Sequence, residues 1–139
     1  MDNYDDTNIF AKILRGTIPS YKIFETEYCI AILDAFPCAP GHALLISKGQ
    51  YRTIMEMPAQ VASHYLKELP RLCNLVKKAT GAAGINIISN NEAEAGQEVF
   101  HVHVHVIPRK AQDKLFRAPK SARSMITAQE AKTMLAKMS

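Results

Sequence analysis

The sequence predicts one domain in which β-strands and α-helices occur together. Its 139 residues suffice for one hydrophobic core and are too few for two comfortable domains. Histidine and valine alternate strictly over 101–106, which is the period of a β-strand. Apolar side chains recur at spacings of three and four over 58–79, which is the period of an amphipathic helix. The short chain therefore combines at least one strongly patterned strand with one long helix.

The N-terminal third predicts a short helix followed by a hairpin. A helix over 9–15 has Asp6 or Thr7 as its cap and Gly16 as its end. Runs 21–25 and 28–34 are typical of two strands joined by a polar turn. Asp34 follows the second of them, where an aspartate is usually a turn former.

The rest of the chain supplies three further strands and two helices. After His42 comes a strand over 43–47, then the helix over 58–79, in which Pro70 predicts a kink. A strand over 84–89 and a loop over 90–98 precede the histidine strand. Gly96 in this loop permits close approach of backbone N–H groups to a phosphate. The pair Thr127 and Glu130 forms a capping box, which predicts a short C-terminal helix.

Three histidines on one face of a strand are the most informative feature of the sequence. His101, His103 and His105 alternate with valines that suit the buried face of a sheet. Crowded imidazoles oppose one another's protonation and gain little by packing, so a purely structural role is disfavoured. Residues two apart on a strand rise by about 6.6 Å, so two neighbours can chelate one metal ion but the whole row hardly can. A row with a central imidazole instead suits a phosphate ester, and both readings stay open on spacing alone.

The residues around this row resemble a known family. The pattern of three histidines separated by apolar residues, preceded by Gly96-Gln97-Glu98-Val99-Phe100, resembles the signature of the histidine-triad (HIT) family of nucleotide hydrolases and transferases. The resemblance continues backwards in the order of the Hint-like branch and covers most of residues 7–110. The stretches that carry it are Ile9-Phe10-Ala11-Lys12-Ile13, Ile18-Pro19, Leu33-Asp34-Ala35, Pro40-Gly41-His42-Ala43-Leu44-Leu45-Ile46 and Asn90.

The resemblance implies a fold and an activity. The fold is α+β: an antiparallel sheet of about five strands, one long kinked helix, and short helices at both ends, within a single HIT domain over 1–139. Its core spans about 7–110, and 111–139 form a basic extension. The implied activity is attack on the α-phosphate of a purine nucleotide conjugate, of the phosphoramidate type, through a covalent nucleotidyl-histidine. A homodimer is also implied, and no cofactor is.

The resemblance also assigns roles to residues of this sequence. His103 is the nucleophile, His105 lies against the phosphate oxygens, and His101 and His42 orient the nucleophilic ring. Asp34 binds the ribose hydroxyls. The remaining residues implied to contact the nucleotide are Ile9, Phe10, Ile18, Leu33, Ala35, Asn90, Gly96, Gln97, Glu98 and Val99.

Two departures from the family pattern change the expectations. Glu98 stands where Hint-like members often carry Ser or Thr, so an acid replaces a hydroxyl donor. Some bacterial relatives have Cys-x-x-Cys where this chain has residues 8–11, together with a histidine where Gln50 stands. A structural zinc site is therefore not expected.

Composition narrows location and partners. By count, residues 109–139 carry eight basic and two acidic side chains, whereas 1–108 carry nine and eleven. The basic segment 109–139 has little aromatic interleaving, which favours a solvated surface over nucleic-acid binding. No apolar run approaches a membrane span and the first residues are acidic, unlike a signal peptide, so a cytoplasmic protein is expected. Three cysteines without Cys-x-x-Cys spacing predict reduced thiols.

Three alternatives to a phosphoramidate hydrolase remain at the level of sequence. A dinucleoside polyphosphate hydrolase uses the same chemistry on a longer substrate. A nucleotide-binding regulator would hold AMP without turnover. A metal-binding module would show metal-dependent thermal stability.

Overall fold

The computed structural model describes residues 3–117, 119–121 and 124–139, and these form five strands and four α-helices. The strands are β1 (Tyr21–Glu25), β2 (Cys29–Leu33), β3 (Ala43–Ser47), β4 (Gly84–Ile88) and β5 (His103–Arg109). The helices are α1 (Ile9–Leu14), α2 (Ala59–Leu66), α3 (Leu69–Thr80) and α4 (Ala128–Met138), with 3₁₀ turns at Ile54–Glu56 and Ala93–Ala95.

All five strands belong to one antiparallel sheet with the order β1-β2-β3-β5-β4. The predicted α+β fold with about five antiparallel strands is thereby confirmed. The histidine strand β5 is last in sequence but lies inside the sheet, between β3 and β4. Its register places His103 opposite Ile46 and His105 opposite Leu44. Both histidines are thus held by backbone pairing on a rigid element.

The pleat of the sheet separates the valines of β5 from its histidines, as the sequence predicts. Val104 and Val106 point to the face covered by α2 and α3, where they join the main core. Tyr65 of α2 is fully buried there, and its hydroxyl donates to the Leu45 carbonyl at 2.5 Å. Burial raises the pKa of this phenol, which therefore stays protonated and keeps the hydrogen bond.

The opposite face of the sheet carries a smaller apolar cluster and the histidines. Phe10 and Ile13 of α1 pack there against Ile30, Ile32, Leu44 and Ile46. His103 and His105 follow the same alternation, because they face away from the valines of their own strand. The face that binds α1 is therefore the face on which a ligand can meet the imidazoles.

The helix predicted over 58–79 forms as two consecutive segments. The first segment, α2, ends at Leu66, and α3 begins at Leu69 with Pro70 in its first turn. Proline lacks an N–H and clashes with the carbonyl four residues earlier, so it is best tolerated at a helix start. The break accordingly lies just before Pro70 instead of at it. Gly81 ends α3 in the left-handed conformation.

The N-terminal helix also differs in its cap. Asn8 caps α1, and its side-chain oxygen accepts hydrogen bonds from the N–H groups of Phe10 and Ala11 at 3.0 Å. The expected caps Asp6 and Thr7 lie before it. Asn is as good a cap as Asp or Ser, so propensity alone did not separate the three positions.

The segment after β5 is held at its start by an ion pair and ends in an exposed helix. Arg109 makes a bidentate pair with Asp113 at 2.7 and 2.8 Å, which holds the carboxyl pKa well below its usual range. Thr127 and Glu130 form the predicted capping box of α4. None of the α4 side chains is buried. Arg123 of the basic segment lies outside the described residues.

Across the described part of the chain, no helix has both the length and the apolar character needed to cross a membrane.

Candidate active site

A cavity of about 510 Å³ opens on the face of the sheet that carries α1. One end is apolar and the other is lined by imidazoles and by the loop that precedes β5. The side chains that line the cavity and were expected from the sequence are Ile9, Phe10, Ile18, Leu33, Asp34, Ala35, His42, Asn90, Gly96, Glu98, Val99, His103 and His105. The fold therefore brings together most of the residues expected to form the site.

The His103 ring is held in one tautomer. Its Nδ1 lies 2.6 Å from the backbone carbonyl of His101, and a carbonyl can only accept, so Nδ1 carries the proton. The other nitrogen, Nε2, consequently has a free lone pair. The edge-to-face contact with Phe10, at 4.7 Å between centroids, fixes the plane of the ring. His103 thus presents an oriented, unprotonated nitrogen on the wall of the cavity.

His105 has the opposite tautomer because of a chain of three groups. The N–H of Cys38 donates to His42 Nδ1 at 3.0 Å, so the proton of the neutral His42 ring is on Nε2. His42 Nε2 lies 3.0 Å from His105 Nδ1 and donates to it. The proton of His105 is therefore on Nε2. His105 offers the cavity a hydrogen-bond donor where His103 offers a lone pair.

The sequence suggested that His42 orients the ring of His103, whereas in the structure His42 contacts His105. Ala43 pairs with Val106, so His42 lies one step beyond it and meets His105 instead of His103. The partner of His103 is the main chain of His101. Strand register, which spacing alone does not give, decides between the two partners.

His101 lies outside the cavity and outside the regular strand. The strand β5 begins at His103, and the His101 ring is fully buried beneath α1. Its Nε2 donates to the Ser47 carbonyl at 2.6 Å, so its Nδ1 must accept, and it does so from the Tyr4 hydroxyl at 2.6 Å. Of the three imidazoles expected to form one row, His103 and His105 line the cavity, whereas His101 is buried behind them.

The four imidazoles share one electrostatic property. Burial lowers the pKa of His42, His101, His103 and His105 from the ordinary value, because a charged ring loses hydration there. Asp34 opposes this at His42, with its carboxylate 3.4 Å from Nε2. The net direction is downward for every ring, so at neutral pH all four rings are uncharged and each carries one N–H. A neutral His103 is the form able to attack phosphorus.

Asp34, His42 and His105 form the one group in the described part of the chain whose donor atoms converge closely enough to hold a metal ion, within 4.8 Å of one another. Metal binding requires a lone pair on His42 Nε2. That nitrogen already carries the ring proton, because Nδ1 accepts from Cys38. The Asp34 carboxylate is also engaged by the Phe36 N–H at 2.8 Å. The hydrogen bonds thus favour a proton relay over a metal centre.

The loop before β5 is built to present backbone N–H groups. Gln97 is buried, with its amide bonded to the Glu92 N–H and to the Arg52 and Val99 carbonyls, so its side chain stays beneath the loop instead of lining the cavity. Glu92 adopts a positive φ of 77° and pairs with Arg52 at 2.8 Å. The N–H groups of Glu98 and Val99 have no acceptor among the described residues. These donors border the cavity, as a phosphate site requires.

The apolar end of the cavity contains residues that the sequence-based assignment missed. Ile32 and Leu44 lie on the same face of the sheet as His103, which strand alternation alone would have shown. The remaining unassigned lining residues are Ile13, Pro19, Ser20, Tyr21, Phe36 and Cys38. Ile13 and Pro19 lie in stretches that carry the family resemblance, and Tyr21 is the first residue of β1. Ser20, Phe36 and Cys38 lie in the turn after α1 and in the loop 34–42, where no motif marks them.

Comparison with known proteins decides the family. The model of the HIT domain matches residues 15–112, which is more than half of the chain. The chain belongs to the HIT domain family. It falls in the Hint-like branch, since named relatives of that type match it.

Three relatives show how close the HIT similarity is. Adenylylsulfatase HINT3 from Arabidopsis thaliana is 43% identical over 108 residues, which are 78% of this chain and 55% of that protein. The chain thus spans little more than half of that relative's length. Adenosine 5'-monophosphoramidase HNT1 from Saccharomyces cerevisiae is 39% identical over 106 residues, covering 76% of this chain and 65% of that protein. The crystal structure of a HIT family protein from Bacillus anthracis has a TM-score of 0.89 at 34% identity, covering 96% and 95% of the two chains.

Tyr4 lies outside the matched HIT region, yet it contacts the histidine triad. Its hydroxyl donates to His101 Nδ1 and accepts from the Asn8 amide at 2.9 Å. Asn8 in turn caps α1, which carries Phe10. Tyr4 therefore connects the helix that walls the apolar end of the cavity to the buried member of the triad. The sequence contains no motif that marks this residue.

Removing the Tyr4 hydroxyl is expected to loosen this connection. In Tyr4→Phe the buried His101 Nδ1 loses its donor, which costs about 1–3 kcal/mol of the free energy of unfolding. Because α1 then holds Phe10 less firmly, the KM for a nucleotide substrate is expected to rise about threefold to tenfold, with kcat changed less than about twofold. Urea unfolding and steady-state kinetics measure both effects. Tyr28→Phe is the control, since Tyr28 stacks on His64 outside the cavity. Indistinguishable results for the two variants would contradict the role of Tyr4.

Proposed function

We propose that the protein hydrolyses purine nucleotide conjugates at the α-phosphate, with adenosine phosphoramidates as the substrate type. The observation that carries this is the pair of opposite tautomers at His103 and His105. One ring presents a lone pair and the other a donor, on adjacent positions of the same sheet face. Nucleophilic displacement at phosphorus needs both, a nucleophile and a donor for the developing charge.

The reaction divides into two displacements. His103 Nε2 forms a bond to the α-phosphorus while the bond from phosphorus to the leaving nitrogen breaks. The leaving nitrogen keeps that electron pair and takes up one proton. Water then attacks the phosphorus, releases one proton and displaces the imidazole, so the two steps together consume one water. The His105 Nε2–H and the N–H groups of Glu98 and Val99 stabilise the charge on the phosphoryl oxygens.

The remaining lining residues suit the rest of an AMP moiety. The apolar walls from α1 and β2, together with Ile18, give a slot for a flat nucleobase. Asp34 has its Oδ1 turned to the Phe36 N–H and its Oδ2 near His42, which leaves further acceptor positions for ribose hydroxyls. HNT1 and HINT3 are named for reactions on AMP conjugates, which agrees with this assignment.

Release of AMP from adenosine 5′-phosphoramidate in the presence of a chelator tests the proposal. Turnover without added metal is the expected result, because the displacement uses imidazoles and backbone donors only. Binding of AMP without turnover would favour a regulator, and turnover of dinucleoside polyphosphates alone would favour the polyphosphate alternative. A thermal midpoint that falls in chelator would favour the metal-binding module.

We further propose that the active form is a homodimer formed through β4. This strand has β5 on one side and, among the described residues, no strand on the other. Ile87 on β4 is 52% exposed and Leu75 on the neighbouring α3 is 39% exposed. A bare edge flanked by apolar side chains pairs favourably with a second copy of itself about a two-fold axis. Light scattering is expected to give twice the chain mass, and Ile87→Lys is expected to give a monomer. A monomeric parent would reject the dimer.

A further inference from the structure

The charged side chains among the described residues that line the cavity are acidic. Among the described residues that line the cavity there are two carboxylates, Asp34 and Glu98, and neither a lysine nor an arginine. The three lining imidazoles are neutral near pH 7, because burial lowers each pKa. The wall therefore carries about two negative charges, although the whole chain has a formal net charge of +4. This is an unusual lining for an enzyme that handles phosphate.

The two carboxylates differ in their surroundings. Asp34 is turned toward the loop and His42, and its oxygens lie close to hydrogen-bond donors. Glu98 is exposed and has no hydrogen bond or ion pair within the described part of the chain. Burial lowers the pKa of His105, and the charges of Asp34 and, to a smaller extent, Glu98 partly offset this effect by favouring the protonated ring. Glu98 thus lies at the rim of the phosphate end.

The position of Glu98 determines which part of a substrate it meets. With a nucleotide bound as proposed above, the nucleobase lies at the apolar end, the ribose lies at Asp34, and His103 attacks the phosphorus from the face of the sheet. The leaving group departs on the side opposite to the nucleophile, toward the rim and solvent. Residues at the rim of the phosphate end therefore face the leaving group and not the nucleoside.

We propose that Glu98 selects the leaving group by charge, so that this site prefers adenosine phosphoramidates of amines that carry a second, ammonium group. The inference rests on the proposed function and adds the class of leaving group. A cation near Glu98 gains from the uncompensated carboxylate, whereas each further phosphate or sulfate meets like charge without a basic residue to balance it. Polyphosphate chains are accordingly poor substrates, which separates the leading function from its nearest rival.

Three adenosine phosphoramidates of similar size test the proposal. Their amines are 1,3-diaminopropane, propylamine and β-alanine, which place a positive, a neutral and a negative group at the rim. The measured quantity is kcat/KM for each, and the decisive number is the ratio of the cationic to the anionic substrate. We expect a ratio of about ten or more in the parent protein at low salt, shrinking as salt screens the rim.

The variants identify Glu98 as the cause. Glu98→Gln is expected to reduce the ratio about fivefold, and Glu98→Lys to invert it. Glu94→Gln is the matched control, because Glu94 is an exposed acid of the same loop that does not line the cavity. Its ratio is expected to remain within about twofold of the parent value.

Two results would overturn the inference, and they differ from failure of the proposed function. A ratio of cationic to anionic kcat/KM near one in the parent, or a ratio unchanged in Glu98→Gln, would show that Glu98 does not discriminate leaving groups by charge. If instead the parent released AMP from none of the three substrates, the proposed phosphoramidate hydrolysis itself would fall.

Discussion

Replacing His103 by alanine is expected to abolish AMP release from adenosine 5′-phosphoramidate while leaving AMP binding largely intact. In the proposed mechanism the lone pair on His103 Nε2 is the nucleophile, because Nδ1 is committed to the His101 carbonyl. His105 cannot replace it, since its Nδ1 accepts from His42 and its Nε2 carries the proton. Loss of a nucleophile that no neighbour replaces costs on the order of 10⁴-fold or more in kcat.

The binding half of this prediction follows from the division of the cavity. Removing the His103 ring leaves the apolar walls and Asp34 in the lining of the cavity, and these are expected to contribute most of the contact area with a nucleoside. Calorimetry with AMP is therefore expected to give a Kd within about threefold of the parent value, because the groups that bind AMP remain in the variant. His64→Ala is the control, because His64 stacks on Tyr28 and does not line the cavity. Residual kcat above about one per cent in His103→Ala would reject the nucleophile assignment.

A decrease in pH is expected to reduce both the activity and the stability of the protein, because it protonates the four imidazoles of His42 and the histidine triad. Burial lowers the pKa of each ring in the folded protein below the ordinary value of about 6.5 that holds in the unfolded chain. Above pH 6.5 the rings are neutral in both states and contribute nothing to the pH dependence of stability. Below it the unfolded chain binds more protons, so the free energy of unfolding decreases as the pH falls toward the folded pKa values.

The expected size of this effect is large because the rings act together. Each contributes at most about 1.4 kcal/mol per pH unit between its unfolded and its folded pKa. Denaturant titrations from pH 7.5 to 5 are therefore expected to show a steady loss of unfolding free energy. The kcat/KM profile is expected to remain flat down to pH 6.5 and to fall only at lower pH, where His103 is protonated.

A variant separates the active-site rings from the remaining histidine. His64→Gln removes an imidazole outside the cavity and is expected to leave the acid limb of the kcat/KM profile in place. An acid limb centred above pH 6.5 would contradict the account, because it would require a raised pKa for the nucleophile.

The sequence predicted the features that depend on local periodicity. Alternation of His103, Val104 and His105 correctly separated the cavity face from the core face, and the pattern was strong because both faces are specified at once. The capping box at Thr127 is also a local feature, and the structure confirms it. Most lining residues were predicted through the family pattern, which carries tertiary information that spacing does not.

The features that the sequence did not predict all depend on tertiary contacts. Strand register decides that His42 contacts His105. The strand β5 begins only at His103, so His101 lies before the strand and outside the row. The Tyr4 contact joins residues 97 positions apart, and Gln97 turns beneath its loop because three backbone groups there need partners. Side-chain type and spacing contain no record of such long-range pairings.

Trapping the covalent intermediate would identify the atom that attacks the α-phosphorus. The protein is mixed with adenosine 5′-phosphoramidate, quenched in base within milliseconds to seconds, and its peptides are sequenced by mass spectrometry. We expect one adenylyl group on the peptide that contains β5, bonded to His103 Nε2, and none in the His103→Ala variant. An adenylyl group on His105 or on any other residue would contradict this expectation, and so would AMP release by the His103→Ala variant at the parent rate.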